Sequence, residues 1–198
     1  MFDKKEWVPA WNFTNKDVEN SRVIVVNGVS KGYGMTGFRI GWVIGPRKLV
    51  SIMTNVQAQM TSNPSVLLQS AAVGALTGQQ SVVENLRLNI ENNRKIILTE
   101  LKAFSDLKII DPDGTFYILP DFRAYGESSS KLAELILEKA LVVTVPGKDF
   151  GMEGFIRLSY AGSSKEIIEG VERIRWALDP KAPNEIYIGD RKLIRDWL

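Results

Sequence analysis

Residues 26–41 read VNGVSKGYGMTGFRIG, and the role of the one lysine in this glycine-rich stretch decides the fold. The segment contains GYGMTG, which fits the dinucleotide fingerprint G-x-G-x-x-G. That fingerprint must open a helix whose N-terminus holds the pyrophosphate, and it wants an acid about 20 residues further on. Here the glycines run instead into FRIGWVI, a strand-like run, and no Asp or Glu occurs from Val23 through Val83. A P-loop fails as well, because Lys31 follows Ser30 rather than glycine and precedes Gly32 rather than Ser or Thr.

The acid-free stretch carries Lys31, Arg39, Arg47 and Lys48. One reading is a mostly buried structural loop, which alone would keep acids out. The other is that Lys31 and Arg39 face an anionic ligand. A planar guanidinium grips phosphate through two parallel hydrogen bonds. An amine beside a fixed cation is favoured in its neutral, nucleophilic form. An amine next to a phosphate grip is what Schiff-base chemistry with a phosphorylated aldehyde requires, and glycines let the backbone approach such a ligand closely.

The rest of the composition narrows the chemistry. The chain has 198 residues, 44% hydrophobic and 24% charged, with a net charge of +2, which suits a globular core and gives no concentrated basic excess for nucleic acid. Cys and His are both absent, which excludes disulfides, thiolate nucleophiles and the commonest metal ligands, so no metal site is expected. Catalysis would have to run on Lys, Asp, Glu, Tyr, Ser or a cofactor. No apolar run approaches the ~20 residues that span a bilayer, and MFDKKEWVPAW lacks the apolar core of a signal peptide, so a cytoplasmic protein with no membrane partner is expected.

Along the chain, 22–26 (RVIVV) reads as a buried strand and 38–44 as a second, ended by Gly45-Pro46. Pro46 opens a helix with an apolar stripe of Leu49, Val50, Met53 and Val56. Ser62-Asn63-Pro64 reads as a capped helix start, with Asn63 a plain cap and the helix running to about Leu76. A longer helix at about 81–103 buries Val82, Leu86, Ile90, Ile97 and Leu101. Strands are expected at 107–110, 115–119, 142–145 and 155–160, with a helix at 128–140. Ser163 and Glu166 form a capping box that opens a helix to Leu178, ended by Asp179-Pro180.

Gly28-Val-Ser-Lys31-Gly-Tyr-Gly-Met-Thr-Gly-Phe-Arg39-Ile-Gly41 closely resembles the pyridoxal-phosphate attachment signature of class I/II aminotransferases, the aspartate-aminotransferase-like enzymes of fold type I. Pro112-Asp-Gly-Thr-Phe-Tyr117 resembles the turn and strand that line that family's substrate pocket. Val145-Pro-Gly-Lys-Asp-Phe-Gly151 followed by Phe155-Ile-Arg157-Leu-Ser-Tyr-Ala161 resembles the segment bearing its substrate-carboxylate arginine. The resemblance implies an α/β chain: the end of a large cofactor-binding domain (1–90), a small α+β domain (91–178), and a tail (179–198) it does not reach. It implies that Lys31 holds the cofactor as a Schiff base, that Arg39 binds its phosphate with Ser30 as a further contact, and that Arg157 clamps the substrate carboxylate. Gly28 stands where some members place a phosphate-binding serine. It also implies transfer of an amino group between an L-amino acid and a 2-oxo acid, in a homodimer.

The family is roughly twice this length, and its D-E-x-Y motif, whose Asp partners the cofactor's ring nitrogen, is absent from this sequence. This chain therefore resembles the C-terminal half, and alone it is expected to turn over weakly or not at all. A β/γ-lyase of the same fold and a non-catalytic half that needs a partner chain are the alternatives. Tyr187, Ile188, Leu193, Ile194 and Trp197 of the tail would pack on the body or on a partner.

Overall fold

A computed structural model describes residues 1–195. The chain divides into two compact units, one of Lys5–Arg87 and one of Met1–Lys4 with Leu88–Leu198. Trp197 lies outside the described residues. Among the described residues no helix is long and apolar enough to cross a membrane.

In the unit of Lys5–Arg87, β1 (Val25–Gly28) and β2 (Gly41–Ile44) form an antiparallel pair with Val25 opposite Ile44 and Gly28 opposite Gly41. Both are shorter than the sequence suggests. Residues Thr36–Phe38 make a 3-10 turn and Arg39 takes a left-handed conformation (φ 52°), which breaks the extended path that 38–44 would have followed. The RVIVV run is not buried either: Val26 is 75% exposed, and Ile24 is exposed too. A two-stranded pair has two faces, and the small cluster of Val29, Ile40 and Ala72 covers only one end of it.

Two helices follow, α1 (Arg47–Met60) and α2 (Val66–Thr77). The expected stripe of α1 exists in sequence, yet no residue of the helix is buried. α2 begins later than 62–64 suggests. Ser62 is left-handed (φ 60°), and the helix starts only at Val66, so Asn63 lies too far upstream to cap it and Ser65 takes the cap position. Gly78 ends the helix by donating its N–H to the Gly74 carbonyl.

The long helix α3 (Ser81–Leu101) carries Ile97 and Leu101 into a core, with Ile90 packed against it; Val82, expected inside, is 65% exposed. That core belongs to the second unit. Its sheet is β3 (Tyr117–Ile118), β4 (Val145–Pro146) and β5 (Ile156–Ser159), in the order β3-β5-β4 with both pairs antiparallel. The central strand alternates as a half-buried strand should: Ile156, Leu158 and the following Tyr160 point inward, while Arg157 and Ser159 point to the other face. Against the inner face pack α3, α4 (Ser129–Leu135) and α5 (Ser164–Leu178). The helix expected at 128–140 changes at Ile136 into a wider π-type turn, and Leu141 (φ 55°) ends it. The strand after it is therefore confined to Val145–Pro146. Residues 107–110 form no strand; Lys108 makes a single bridge with Asp121.

The Ser163 capping box of α5 is present, with Ser163 accepting from the Glu166 N–H and Glu166 accepting from the Ser163 N–H. Beyond α5 the tail forms a hairpin of β6 (Glu185–Ile188) and β7 (Arg191–Ile194). Ile186 and Leu193 pack on the core, while Tyr187 and Ile194 are exposed. Arg195 donates to the carbonyls of Trp176, Asp179, Pro180 and Ala182, capping the end of α5 with a cation. The first residues also join this unit: Phe2 is 3% exposed in the core, and the Asp3 carboxylate pairs with the buried Arg94 guanidinium at 2.7 Å.

Asp121, bridged to both Lys108 and Phe155, accepts from the Arg123 guanidinium at 2.9 and 2.6 Å. That hydrogen-bonded pair outweighs burial and holds its carboxyl down at about 2. A carboxyl more acidic in the folded chain stabilises it above the ordinary carboxylate range and ceases to do so as pH falls toward about 2. Thermal melts from pH 5 down to about 2 are expected to show this loss, and Asp121→Asn should flatten that part of the profile while lowering Tm at neutral pH; an unchanged profile would remove the pair from the stability balance.

Candidate active site

The twelve-residue excursion between β1 and β2 builds a recess of about 390 Å³ lined by Asn27, Gly28, Ser30, Lys31, Gly32, Arg39, Ile40 and Gly41. Three residues singled out by sequence, Ser30, Lys31 and Arg39, thus line one cavity. The fold of the loop explains how. Val29, completely buried, donates its N–H to the Ile40 carbonyl at 3.3 Å, and its own carbonyl accepts from the N–H groups of Tyr33 and Met35. This anchors the loop's two ends beneath an exposed rim. Ala72 and Leu68 of α2 pack under Val29 and Ile40. The Tyr33 hydroxyl and Gln80 side chain bond at 2.9 Å, tying the rim to the segment after α2.

Arg39 holds a conformation that costs a non-glycine residue about 1–3 kcal/mol unless its surroundings impose it. Its guanidinium donates to the Thr36 carbonyl at 3.0 Å, which turns the side chain back over the loop that carries Lys31. Both cations are exposed at the recess, and no acid is among its lining residues. An amine, a guanidinium and a hydroxyl form a donor set for an anion.

The glycines serve two purposes. Gly34 takes φ +65°, a conformation that favours glycine. Gly28 and Gly41 answer to the strand pair rather than to a ligand. A Cβ on Gly28 would lie 2.8 Å from the Ile40 carbonyl oxygen, and one on Gly41 would lie 3.0 Å from that of Asn27. The serine that some relatives of the signature carry at this point has no room here without a shift of the backbone. Gly28 also receives the Asn27 side-chain oxygen on its N–H at 2.8 Å, so Asn27, which sequence reasoning passed over, caps the start of the loop.

Arg157 lies in the other unit, on the outer face of β5. Its guanidinium carbon is 4.2 Å from the centre of the Tyr117 ring and 4.7 Å from that of Phe150. Among the described residues no carboxylate pairs with Arg157, so it makes no surface salt bridge there. The two rings were not legible in sequence. Tyr117 reaches Arg157 only because β3 pairs with β5 in the register Tyr117 opposite Ser159.

The backbone contact at Gly28 makes a direct test of this construction. Gly28→Ser should separate β1 from β2 and lower Tm by several degrees, with loss of the Val29 amide from slow hydrogen exchange; a variant with wild-type Tm and exchange would show that the strands tolerate the extra atom.

The sequence matches the family described as aminotransferase class I and II over residues 1–174. It is 40% identical over 166 residues to an aspartate aminotransferase of Streptomyces avermitilis, covering 79% of this chain and 41% of that protein. It is 41% identical over 159 residues to a probable aspartate/prephenate aminotransferase of Aquifex aeolicus, covering 78% of this chain and 40% of that one. Among solved structures, the aspartate aminotransferase of Rhizobium meliloti superposes with a TM-score of 0.82 at 34% identity, over 90% of this chain and 46% of its own. An aromatic aminotransferase of Pyrococcus horikoshii gives 0.71 at 37% identity, over 76% and 41%. The chain therefore spans about two fifths of the length of the curated relatives it matches, as an α/β fragment of the aspartate aminotransferase fold. On both sequence and structure it belongs to the pyridoxal-phosphate-dependent class I and II aminotransferase family.

Proposed function

We propose that this chain carries the lysine-bearing part of an aminotransferase site that moves an amino group between an L-amino acid and a 2-oxo acid. The observation that carries this reading is the recess in which Ser30, Lys31 and Arg39 meet with no acid among the lining residues. Its donor set fits a phosphorylated aldehyde. Arg39 and Ser30 would hold the phosphate, and the Lys31 amine would hold the aldehyde carbon. When bound, the cofactor supplies a conjugated ring that withdraws electrons from the substrate's α-carbon. With the cofactor and substrate in place, the Lys31 amine would take the α-proton on Nζ as general base. Arg157 takes the substrate α-carboxylate through paired N–H donors. The same residues would serve a β/γ-lyase; a product assay for free ammonia separates the two.

A second reading has its own support. The unit that bears Lys31 leaves Val26, Met60, Val66 and Leu67 at least 74% exposed, and the chain covers 41% of the length of its relatives. Turnover therefore depends on further polypeptide that covers these faces, whether a partner chain or more of the same protein; the homodimer rests on the family resemblance alone. The purified chain alone is expected to show negligible transamination, with activity appearing when an N-terminal portion of a relative is added. Robust turnover by the chain alone would overturn this dependence.

The site assignment is tested by adding pyridoxal phosphate, reducing with borohydride and mapping the modified lysine by peptide mass. Selective labelling at Lys31 is expected, lost in Lys31→Ala. Arg39→Gln should weaken cofactor binding about tenfold or more, through loss of a charge-assisted pair. Single-site labelling that persists in Lys31→Ala would reject Lys31.

A further inference from the structure

The environment of Arg157 carries an inference about how a ligand is oriented. On β5, Arg157 and Ser159 share the outer face, and Tyr117 stands opposite Ser159 across the β3–β5 pair. Tyr117 is therefore a diagonal neighbour of Arg157, within reach of a long side chain. Phe150 comes from the other side of the sheet: β4 pairs Val145 with Arg157, and a 3-10 turn, Gly147–Phe150, follows β4 directly. That turn folds tightly because position 147 is glycine. A Cβ there would lie 2.3 Å from the Met152 carbonyl oxygen and 2.6 Å from that of Phe155, and the Gly147 N–H donates to the latter at 2.7 Å.

The rings at 4.2 and 4.7 Å attract the guanidinium through their π faces, yet a ring face accepts none of its five N–H donors in an ordinary hydrogen bond. Among the described residues no carbonyl or carboxylate accepts them either. Position is thus supplied by the protein, while the hydrogen-bonding edge is left for something else. The N–H donors of a guanidinium lie in its own plane, so a partner that uses them must approach in that plane. That is the approach of a carboxylate making two parallel N–H···O bonds.

We infer that Tyr117 and Phe150 are positioning residues that hold the Arg157 guanidinium for in-plane, two-pronged pairing with the carboxylate of a small organic acid. This rests on the proposed role of Arg157 in taking a substrate carboxylate. Neither ring needs to touch the substrate; both act through the arginine.

The test follows the Arg157 Nε–Hε resonance of the ¹⁵N-labelled chain during titration with succinate. A saturable shift is expected. Tyr117→Leu and Phe150→Leu should each weaken the apparent Kd about two- to tenfold, the range of a single cation–π contact. Tyr117→Phe, which keeps the ring, should bind like the wild type, a rescue that mere packing at the hydroxyl end would not give. Leucine variants that lower Tm but leave the Kd unchanged overturn the positioning role while Arg157 keeps its carboxylate. No saturable response in the wild type overturns the carboxylate role of Arg157 itself, and this inference with it.

Discussion

The close approach of two backbones at Gly28 and Gly41 is the constraint on which the lysine-bearing loop depends. The loop leaves β1 at Gly28 and rejoins β2 at Gly41, and these two residues face each other across the pair. With no Cβ on either side, the Ile40 carbonyl can turn inward to accept the Val29 N–H. Val29 is then buried, and it fixes the loop from below with its own carbonyl. The polar side chains that line the recess are on the rim above that anchor. Ser30 and Lys31 follow Val29 directly, and Arg39 precedes Ile40, so the pair that seals the loop also places its cations beside the same recess. The strained Arg39 backbone is an outcome of this closure: the chain must enter β2 from a 3-10 turn, and the residue between them takes the left-handed conformation.

The two units differ in how well they meet the hydrophobic demand of their sequences. The one containing β3, β4 and β5 buries a continuous core from Phe2 through Ala177, and its polar interior groups find partners, as when the Asn93 amide donates to the carbonyls of Tyr160 and Gly162. Tyr160 itself is buried enough that its hydroxyl is pushed up to about 12 while still donating to the Thr115 carbonyl. In the Lys5–Arg87 unit the buried cluster is Val29, Ile40 and Ala72. α2 shows the contrast at its plainest. VLLQSAAVGALT is apolar on every side, the pattern of a helix enclosed by other elements, yet Ala72 is its one buried residue.

That contrast explains what the sequence could and could not disclose. The placement of the lysine loop was legible because its signal is a fixed local spacing, and Ser30, Lys31 and Arg39 do line one recess. The α5 capping box was legible because its signal is local, Ser163 to Glu166. Strand lengths were not: the 3-10 turn at Thr36–Phe38 and the left-handed Arg39 cut FRIGWVI down to β2, and nothing in the run itself announces that break. Asn63 misled for a local reason: a cap followed by proline suits a helix start in general, but Ser62 in the left-handed region moves the start to Val66. The partners of Arg157 were hidden for a non-local one. Nothing in GTFYILP or PGKDFG says that Tyr117 and Phe150 meet one guanidinium; strand register and the Gly147 turn decide it.

Exposure of the recess bears on its chemistry as much as on stability. Lys31 and Arg39 both face solvent. Two charges 4 Å apart attract by about 1 kcal/mol in water but by about 4 kcal/mol at the dielectric typical of a protein surface. On the proposed role of this recess, a phosphate at so open a rim would be held weakly, and an amine there would have water competing for any proton it moved. Enclosure by further polypeptide would act twice, burying the apolar residues of α2 and β1 and lowering the dielectric around the same cations. The surface left bare in this unit and the strength of the proposed anion grip would thus both follow one variable, the amount of protein packed over β1, β2 and α2.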